Sequence, residues 1–340
     1  MVKEDIRIKK VIVHILDSTV GMPVLSDQEL EYGSEFADFL KEHIAKLTSG
    51  DEKKNCRFYE KESEVYRMLV QYSDDFFIDI SKDMADFLYS IMNSNVDIPS
   101  ADLIVVRFWY GEEEYLALLK MNYKQYYTHR TLNSAEGSNR NEVIRHKSIL
   151  PSESQRLSEA AIIRLEDLSV QVVEKKYEVN GEKVDYFSYL FLKCSSHLSH
   201  KTKLSLVTKA VDAVQKDSYA ERELYEAQMR AKSIIQEELE EKGGFMVEEI
   251  SQRIFEEKPE LKIAFQDKME KYDMVKEEIL PQSEATTRKY QKQHLYTDTG
   301  IEIKIPMEQY KNPGSVEFIT NADGTVSVLI KNIGRLEVRL

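Results

Sequence analysis

The sequence predicts an α+β fold in three parts: an N-terminal region mixing helix with antiparallel sheet, a central helical module and a short C-terminal β region. Three observations predict it. Ala101–Tyr110 is rich in Val, Ile, Phe and Trp, stops at Gly111 and is followed by a second apolar stretch, 115–122, which is the pattern of a hairpin. Beyond Ser199, apolar residues recur at helical spacing as far as Leu280. After Pro281 the chain returns to short apolar runs at 301–305, Val316–Thr320 and Val326–Ile330, the last two joined by Asn321-Ala322-Asp323-Gly324. These shifts set expected boundaries at 1–190, 191–280 and 281–340, a division that a chain of 340 residues readily accommodates.

In order along the chain, Ile6–Leu16 is rich in Ile and Val, ends in Asp17-Ser18-Thr19 and is expected to be the first strand. A helix is expected from about Asp27, with Phe36, Leu40, Ile44 and Leu47 on one face and Gly50 as its stop. Val65, Met68, Leu69 and Tyr72 make a shorter helical stripe, and Phe76, Phe77, Ile80, Met84, Phe87, Leu88 and Ile91 a longer one. Asp74, Asp75, Asp79, Asp83 and Asp86 form the polar side of that helix; they lack the Gly and terminal Glu of a calcium loop. The stretch 131–147 is polar, rich in Asn, Ser and Arg. Further strands are expected at 160–165 and 170–179, with Asn180-Gly181 folding the chain back. In the helical module, Leu204, Val207, Val211 and Val214 form one stripe, and Leu224, Ala227, Ala231, Ile234, Ile235 and Leu239 a second. Val247, Ile250 and Ile254 form a third beyond Gly243-Gly244, and a fourth, charged helix is expected over 258–280.

Composition narrows the class. Hydrophobic residues at 42% and charged residues at 31%, with 12 Gly and 7 Pro, describe a helix-rich globular chain and exclude a disordered or fibrous one. Runs such as 103–110 are broken by Arg107 and are too short to span a bilayer. The apolar stretch 11–16 is interrupted by His14 and has no small-residue cleavage site behind it, so no signal peptide is expected. Cys56 and Cys194 are the only cysteines, in keeping with a reducing compartment and a cytoplasmic protein. The net charge of −13 repels a polyanion at long range, so any nucleic-acid contact has to be local.

No phosphate-cradling loop, dinucleotide fingerprint, nucleophile elbow or paired-histidine protease motif occurs in the sequence, and pairs such as His14 with Asp17 imply nothing without convergence in space. The chain is therefore expected to act by binding, with no catalytic residues and no cofactor. Cys194, His197 and His200 stand at i, i+3 and i+6, but on a helix the outer two would lie about 240° apart, and no fourth ligand has a standard spacing. No metal site is expected there.

Charge distribution says more. Lys120, Lys124, Arg130, Arg140, Arg145 and Lys147 stand against Glu136 and Glu142, a local balance of +4, with Tyr123, Tyr126 and Tyr127 interleaved. Tyrosine rings can stack on bases while cations meet phosphates, which makes Tyr126 a candidate contact beside those cations. Between Tyr186 and Val211 there is no acidic residue, while Lys193, Lys201, Lys203 and Lys209 supply another +4, with Ser195, Ser196 and Ser199 nearby. Arg288 and Lys289, with Lys292 and His294, form a smaller third cluster. Each stretch also reads as an ordinary solvated surface paired with acidic neighbours, and Tyr126 and Tyr127 equally as packed strand residues.

The run Gly300-Ile301-Glu302-Ile303-Lys304-Ile305-Pro306, then Val316-Glu317-Phe318-Ile319, then 323–333, resembles the C-terminal signature of the bacterial 37-kDa nucleoid-associated protein family of the NdpA type. The opening strand with His14, the 187–203 region leading into helices, the acidic helical segment and the mass of 39.6 kDa are similar to that family's layout. The resemblance implies a bacterial cytoplasmic protein of the nucleoid that binds DNA. It brings no catalytic residues and assigns no DNA contacts. The expected function is non-enzymatic DNA binding of low sequence specificity, to duplex phosphates, through the basic residues named above. The alternative is an adaptor whose acidic helices, 220–280, dock on a DNA-bound nucleoid or DNA-processing protein.

Overall fold

Strands that are apolar at successive positions have to be covered on both faces, and Ala101–Tyr110 and Glu113–Asn122 are buried or half-buried along their whole length. They form the centre of a seven-stranded antiparallel sheet with helices on each side. The computed structural model describes residues 1–95, 97–133 and 139–337; these fall into two compact units, Met1–Ser199 and His200–Leu340.

The first unit runs β1 (Ile6–Leu16), α1 (Ser34–Ser49), β2 (Lys54–Phe58), α2 (Glu64–Val70), α3 (Phe77–Asn93), β3 (Ala101–Tyr110), β4 (Glu113–Asn122), β5 (Lys124–Asn133) and β6 (Asn139–Ile149). It continues with β7 (Glu159–Arg164), β8 (Val170–Val173), β9 (Tyr177–Val179), β10 (Glu182–Val184), a π-helical turn at Phe187–Leu192 and β11 (Cys194–Ser196). The sheet order is β1-β3-β4-β7-β8-β2-β11. Alternate residues feed two cores. Leu103, Val105, Leu116, Leu118, Ala161 and Ile163 pack with α2, α3 and the π-helical turn. Ile104, Val106, Phe108, Ala117, Leu119 and Met121 pack with Leu40, Ile44 and Leu47 of α1.

Most sequence expectations hold here, and the departures have local causes. α1 begins at Ser34 because the preceding segment is extended along β1: Val24 and Ile15 exchange hydrogen bonds of 2.9 and 3.0 Å, and the Leu30 amide donates to Val11 at 2.7 Å. The turn expected at Asn180-Gly181 forms, both residues having positive φ (52° and 85°), and joins β9 to β10. β2, which is polar at alternate positions, was not anticipated. Its Cys56 pairs with Val170 of β8 and with Ser196 of β11. That last pairing carries the first unit past residue 190 to Ser199.

The second unit contains α4 (His200–Ser218), α5 (Glu221–Glu241), β12 (Phe245–Met246), α6 (Val247–Ile254), α7 (Pro259–Glu270), β13 (Glu278–Ile279) and α8 (Glu284–Thr287). Then come a 3-10 turn at Arg288–Tyr290, β14 (Lys292–Tyr296), β15 (Glu302–Pro306), α9 (Met307–Tyr310), β16 (Val316–Thr320) and β17 (Val326–Ile330). The expected stripes meet in one core: Leu204, Val207, Val211 and Val214 against Ala231, Ile234, Ile235, Ile250 and Phe265. α7 ends at Glu270 instead of near 280 because the chain turns at Asp273 (φ 52°) and pairs β13 with β12. Gly244 is required there: a Cβ would stand 2.2 Å from the Ile279 carbonyl oxygen. The C-terminal hairpin β16–β17 forms as expected, and β14–β15 is a second one. No described helix is long and apolar enough to cross a membrane.

Candidate nucleic-acid interface

The described residues of the polar stretch 131–147 belong to two strands, the end of β5 and most of β6. β5 and β6 pair with each other and with no other described strand, making a two-stranded ribbon of 10 and 11 residues, roughly 30 Å long. Tyr126, Tyr127, Thr128, Thr131, Val143 and Ile144 supply β-branched and aromatic side chains that favour the extended backbone. Nearly every residue is exposed, Tyr127 at 71% and Val143 at 74%, so no core is built on it.

Register distributes the side chains between two faces, since residues directly opposite point the same way. One carries Tyr126, Thr128 and Arg130 opposite His146, Ile144 and Glu142, with Arg140 beyond; the other carries Tyr127 and His129 opposite Arg145 and Val143. A bulge separates Lys124 from Tyr126 in the pairing. On the first face Glu142 holds both Arg130, at 3.0 Å, and Arg140, at 3.6 Å. On the second, the Arg145 guanidinium lies 5.9 Å from the Tyr127 ring centroid and donates to the Gln125 amide oxygen. Among the described residues, Lys124 and Lys147 have no carboxylate within ion-pair distance, and Glu142 is the ribbon's sole acid. Glu136, the other acid counted in this stretch, lies outside the described residues.

The ribbon therefore brings together Lys124, Tyr126, Arg130, Arg140, Arg145 and Lys147 of the expected contacts, and adds Tyr127, His129 and His146, which were not counted as contacts. Lys120 is removed from the set. Its side chain is fully buried in β4, where the ammonium donates to the Pro99 carbonyl at 3.0 Å, bonds Asn122 and faces Glu159 at 3.5 Å. Burial lowers its pKa to about 8, against the opposing pull of Glu159. A cation so enclosed serves the sheet and cannot meet a phosphate.

The other candidates lie outside the ribbon. Lys193 belongs to the first unit, in the left-handed conformation (φ 49°), with its ammonium 5.1 Å from the Tyr189 ring centroid. Lys201, Lys203 and Lys209 lie on α4 of the second unit. Lys203 is half-buried and ion-paired to Glu277, which spends its charge internally, whereas Lys201 and Lys209 are exposed. Arg288 and Lys289 sit on the 3-10 turn Arg288–Tyr290.

The histidines and cysteines weighed in the sequence make local contacts. His14 accepts from the Ser26 amide at Nδ1 (3.1 Å) and lies 3.0 Å from Ser81 Oγ at Nε2; burial lowers its pKa to about 4. Asp17 instead accepts from Thr19 and Ser100, so the two do not form a relay. Cys194 packs beside Cys56 in the first unit, and the His200 imidazole accepts from the Leu280 amide at 3.1 Å. Among the described residues no three His, Cys, Asp or Glu side chains converge as a metal shell.

Among the described residues, this α+β protein carries five cations, Lys124, Arg130, Arg140, Arg145 and Lys147, on one exposed strand pair. Residues 12–336 match the family described as nucleoid-associated protein YejK, and the chain belongs to that family. None of the curated proteins matches it.

Proposed function

We propose that this member of a nucleoid-associated family is a non-enzymatic DNA-binding protein of the bacterial cytoplasm, contacting duplex phosphates through the β5–β6 ribbon with little sequence preference. The observation that carries the reading is the ribbon itself: an exposed strand pair bearing Lys124, Arg130, Arg140, Arg145 and Lys147 against one described acid, on a chain of net charge −13. A two-stranded ribbon fits a DNA groove about 12 Å wide, and long-range repulsion from the rest of the chain leaves the ribbon as the favourable approach. Phosphate contacts supply affinity without reading sequence.

Four phosphate contacts predict a salt slope near −3.6, hence a loss of roughly a hundredfold in affinity between about 50 and about 200 mM salt. Fluorescence anisotropy with a labelled duplex measures this. The variant carrying Lys124→Glu, Arg140→Glu, Arg145→Glu and Lys147→Glu should lose most of the affinity and flatten the slope. A variant that binds as tightly as the parent at both salt concentrations overturns the ribbon as the interface.

A second reading is favoured by one observation. Glu240, Glu241, Glu248, Glu249, Glu256 and Glu260 are all exposed along α5 to α7, an acidic helical surface suited to a basic protein already on DNA. Retention of a bound protein after nuclease treatment of a lysate supports that reading, and release of every partner argues against it.

A further inference from the structure

The second unit contains a cleft of about 360 Å³ that DNA binding by the ribbon does not use. Two helices and a turn shape it. α4 presents Thr208, Val211, Asp212 and Gln215, and α5 presents Gln228, Ala231, Lys232 and Ile235, each set at i, i+3, i+4 and i+7 and so on one helical face. The 3-10 turn closes the third side with Lys289 and Tyr290. Tyr290 is 2% exposed and pins that turn to α4: Thr208 donates to the Leu204 carbonyl at 2.7 Å, so the tyrosine hydroxyl, 2.8 Å away, donates to Thr208.

The lining divides by chemistry. Val211, Ala231 and Ile235 are buried and make an apolar floor. Lys209, Lys232 and Lys289 stand around it, and among the described residues none of the three has a carboxylate within ion-pair distance. Lys289 is held 4.9 Å from the Tyr290 ring centroid. Partial desolvation, then the neighbouring Lys289, lower the pKa of Lys232; partial desolvation, then Lys201, lower that of Lys289. Neighbouring cations that weaken one another in this way gain most from an anion placed between them. Asp212 does not fill that role. One of its oxygens accepts from Gln228 at 2.6 Å and the other from Lys216 at 2.8 Å. Gln215 likewise spends its amide N–H on the Ala227 carbonyl at 2.9 Å. The glutamine side-chain oxygens remain as acceptors beside the apolar floor.

We propose that this cleft binds a nucleoside phosphate, with the phosphate among Lys209, Lys232 and Lys289, and the ring and sugar on the apolar floor within reach of the glutamine oxygens. The volume lies within the range of small-molecule sites, about 300–1,000 Å³, and the combination of an apolar floor with cations at its edge suits a ligand that is apolar at one end and anionic at the other. Inorganic phosphate satisfies only the lysines.

Isothermal titration calorimetry on the full chain, free of DNA, tests the site with ADP, GDP, CDP and UDP, and with inorganic phosphate as a separate arm. At least one nucleoside diphosphate should bind at one site per chain, at least about tenfold more tightly than phosphate, a difference of about 1.4 kcal/mol. Lys232→Gln and Lys289→Gln, each with an unchanged melting temperature, should each weaken it about tenfold; Lys209→Gln serves in place of either variant that fails to fold. The ribbon charge-reversal variant should bind the nucleotide normally, which separates this site from DNA binding. Absence of heat with all four nucleotides at millimolar concentration overturns the proposal. So does equal binding of phosphate and nucleotides, lysine variants that bind like the parent, or displacement of the nucleotide by duplex DNA, which would make the cleft a seat for backbone phosphate.

Discussion

The central sheet and the β5–β6 ribbon are both antiparallel, and Tyr123 alone separates β4 of one from β5 of the other, yet they have opposite relations to solvent. β4 is apolar from Tyr115 to Met121 except at Lys120 and is covered on both faces; the ribbon is exposed at nearly every position and covered on neither. The same pairing geometry therefore serves two purposes. In the sheet, cross-strand neighbours exclude water and even a lysine is drawn into the interior. In the ribbon they space cations along an arm. An isolated two-stranded pair is only marginally stable, so the ribbon's order depends more on its own cross-strand contacts and on what it binds than the sheet's does.

That contrast can be broken most strongly at Lys120. Lys120→Ala leaves the Glu159 carboxylate buried without its cation and should cost about 3–5 kcal/mol in urea or thermal unfolding, with no change in the salt slope of DNA binding by the folded protein. A stability loss below about 1 kcal/mol would return Lys120 to the surface set.

A next, smaller effect concerns two histidines of the sheet unit. His14 and His43 are buried, and burial lowers the pKa of each from 6.5 to about 4. Between those values the unfolded chain takes up protons that the folded one resists. Stability should therefore fall as pH drops from 6.5 and level off below about 4, by roughly 2–3 kcal/mol per histidine. In His14→Gln this pH dependence should shrink by about half, as followed by denaturant titration at several pH values.

The smallest effect lies on the ribbon. Glu142→Gln removes the acid shared by Arg130 and Arg140, and DNA affinity should rise about two- to fivefold, as expected for an exposed pair worth under about 1 kcal/mol. Weaker binding by this variant would mean that Glu142 positions the arginines more than it competes for them.

Much of the architecture is legible in residue order. The strand and hairpin signals of Ile6–Leu16, Ala101–Tyr110, Asn180-Gly181 and 316–330, and the four helical stripes after Ser199, appear as elements because each is a local pattern of period or turn chemistry. β2 and the ribbon were not legible as strands. Lys54–Phe58 owes its place to partners at Val170–Val173 and Cys194–Ser196, far away in sequence. The ribbon has no buried face to impose an alternation, and only its tyrosines, threonines and Val143-Ile144 hinted at extension. The basic clusters were visible as composition, but their fates were not: Lys120 and Lys203 are cations like Lys124 and Lys147 until burial or a carboxylate claims them.

By itself, then, the sequence determined the mixed fold class, the order of most elements and a chain whose acidity confines polyanion contact to a few places. Only the tertiary structure decided which cations remain available, because a lysine's availability depends on the desolvation and ion partners that distant segments bring to it. Pro99 and Glu159 enclose Lys120, and Glu277 holds Lys203. The ribbon's pairing sets Lys124, Arg140, Arg145 and Lys147 on one exposed arm, and the packing of α4 against α5 gathers Lys209, Lys232 and Lys289 around a single cleft.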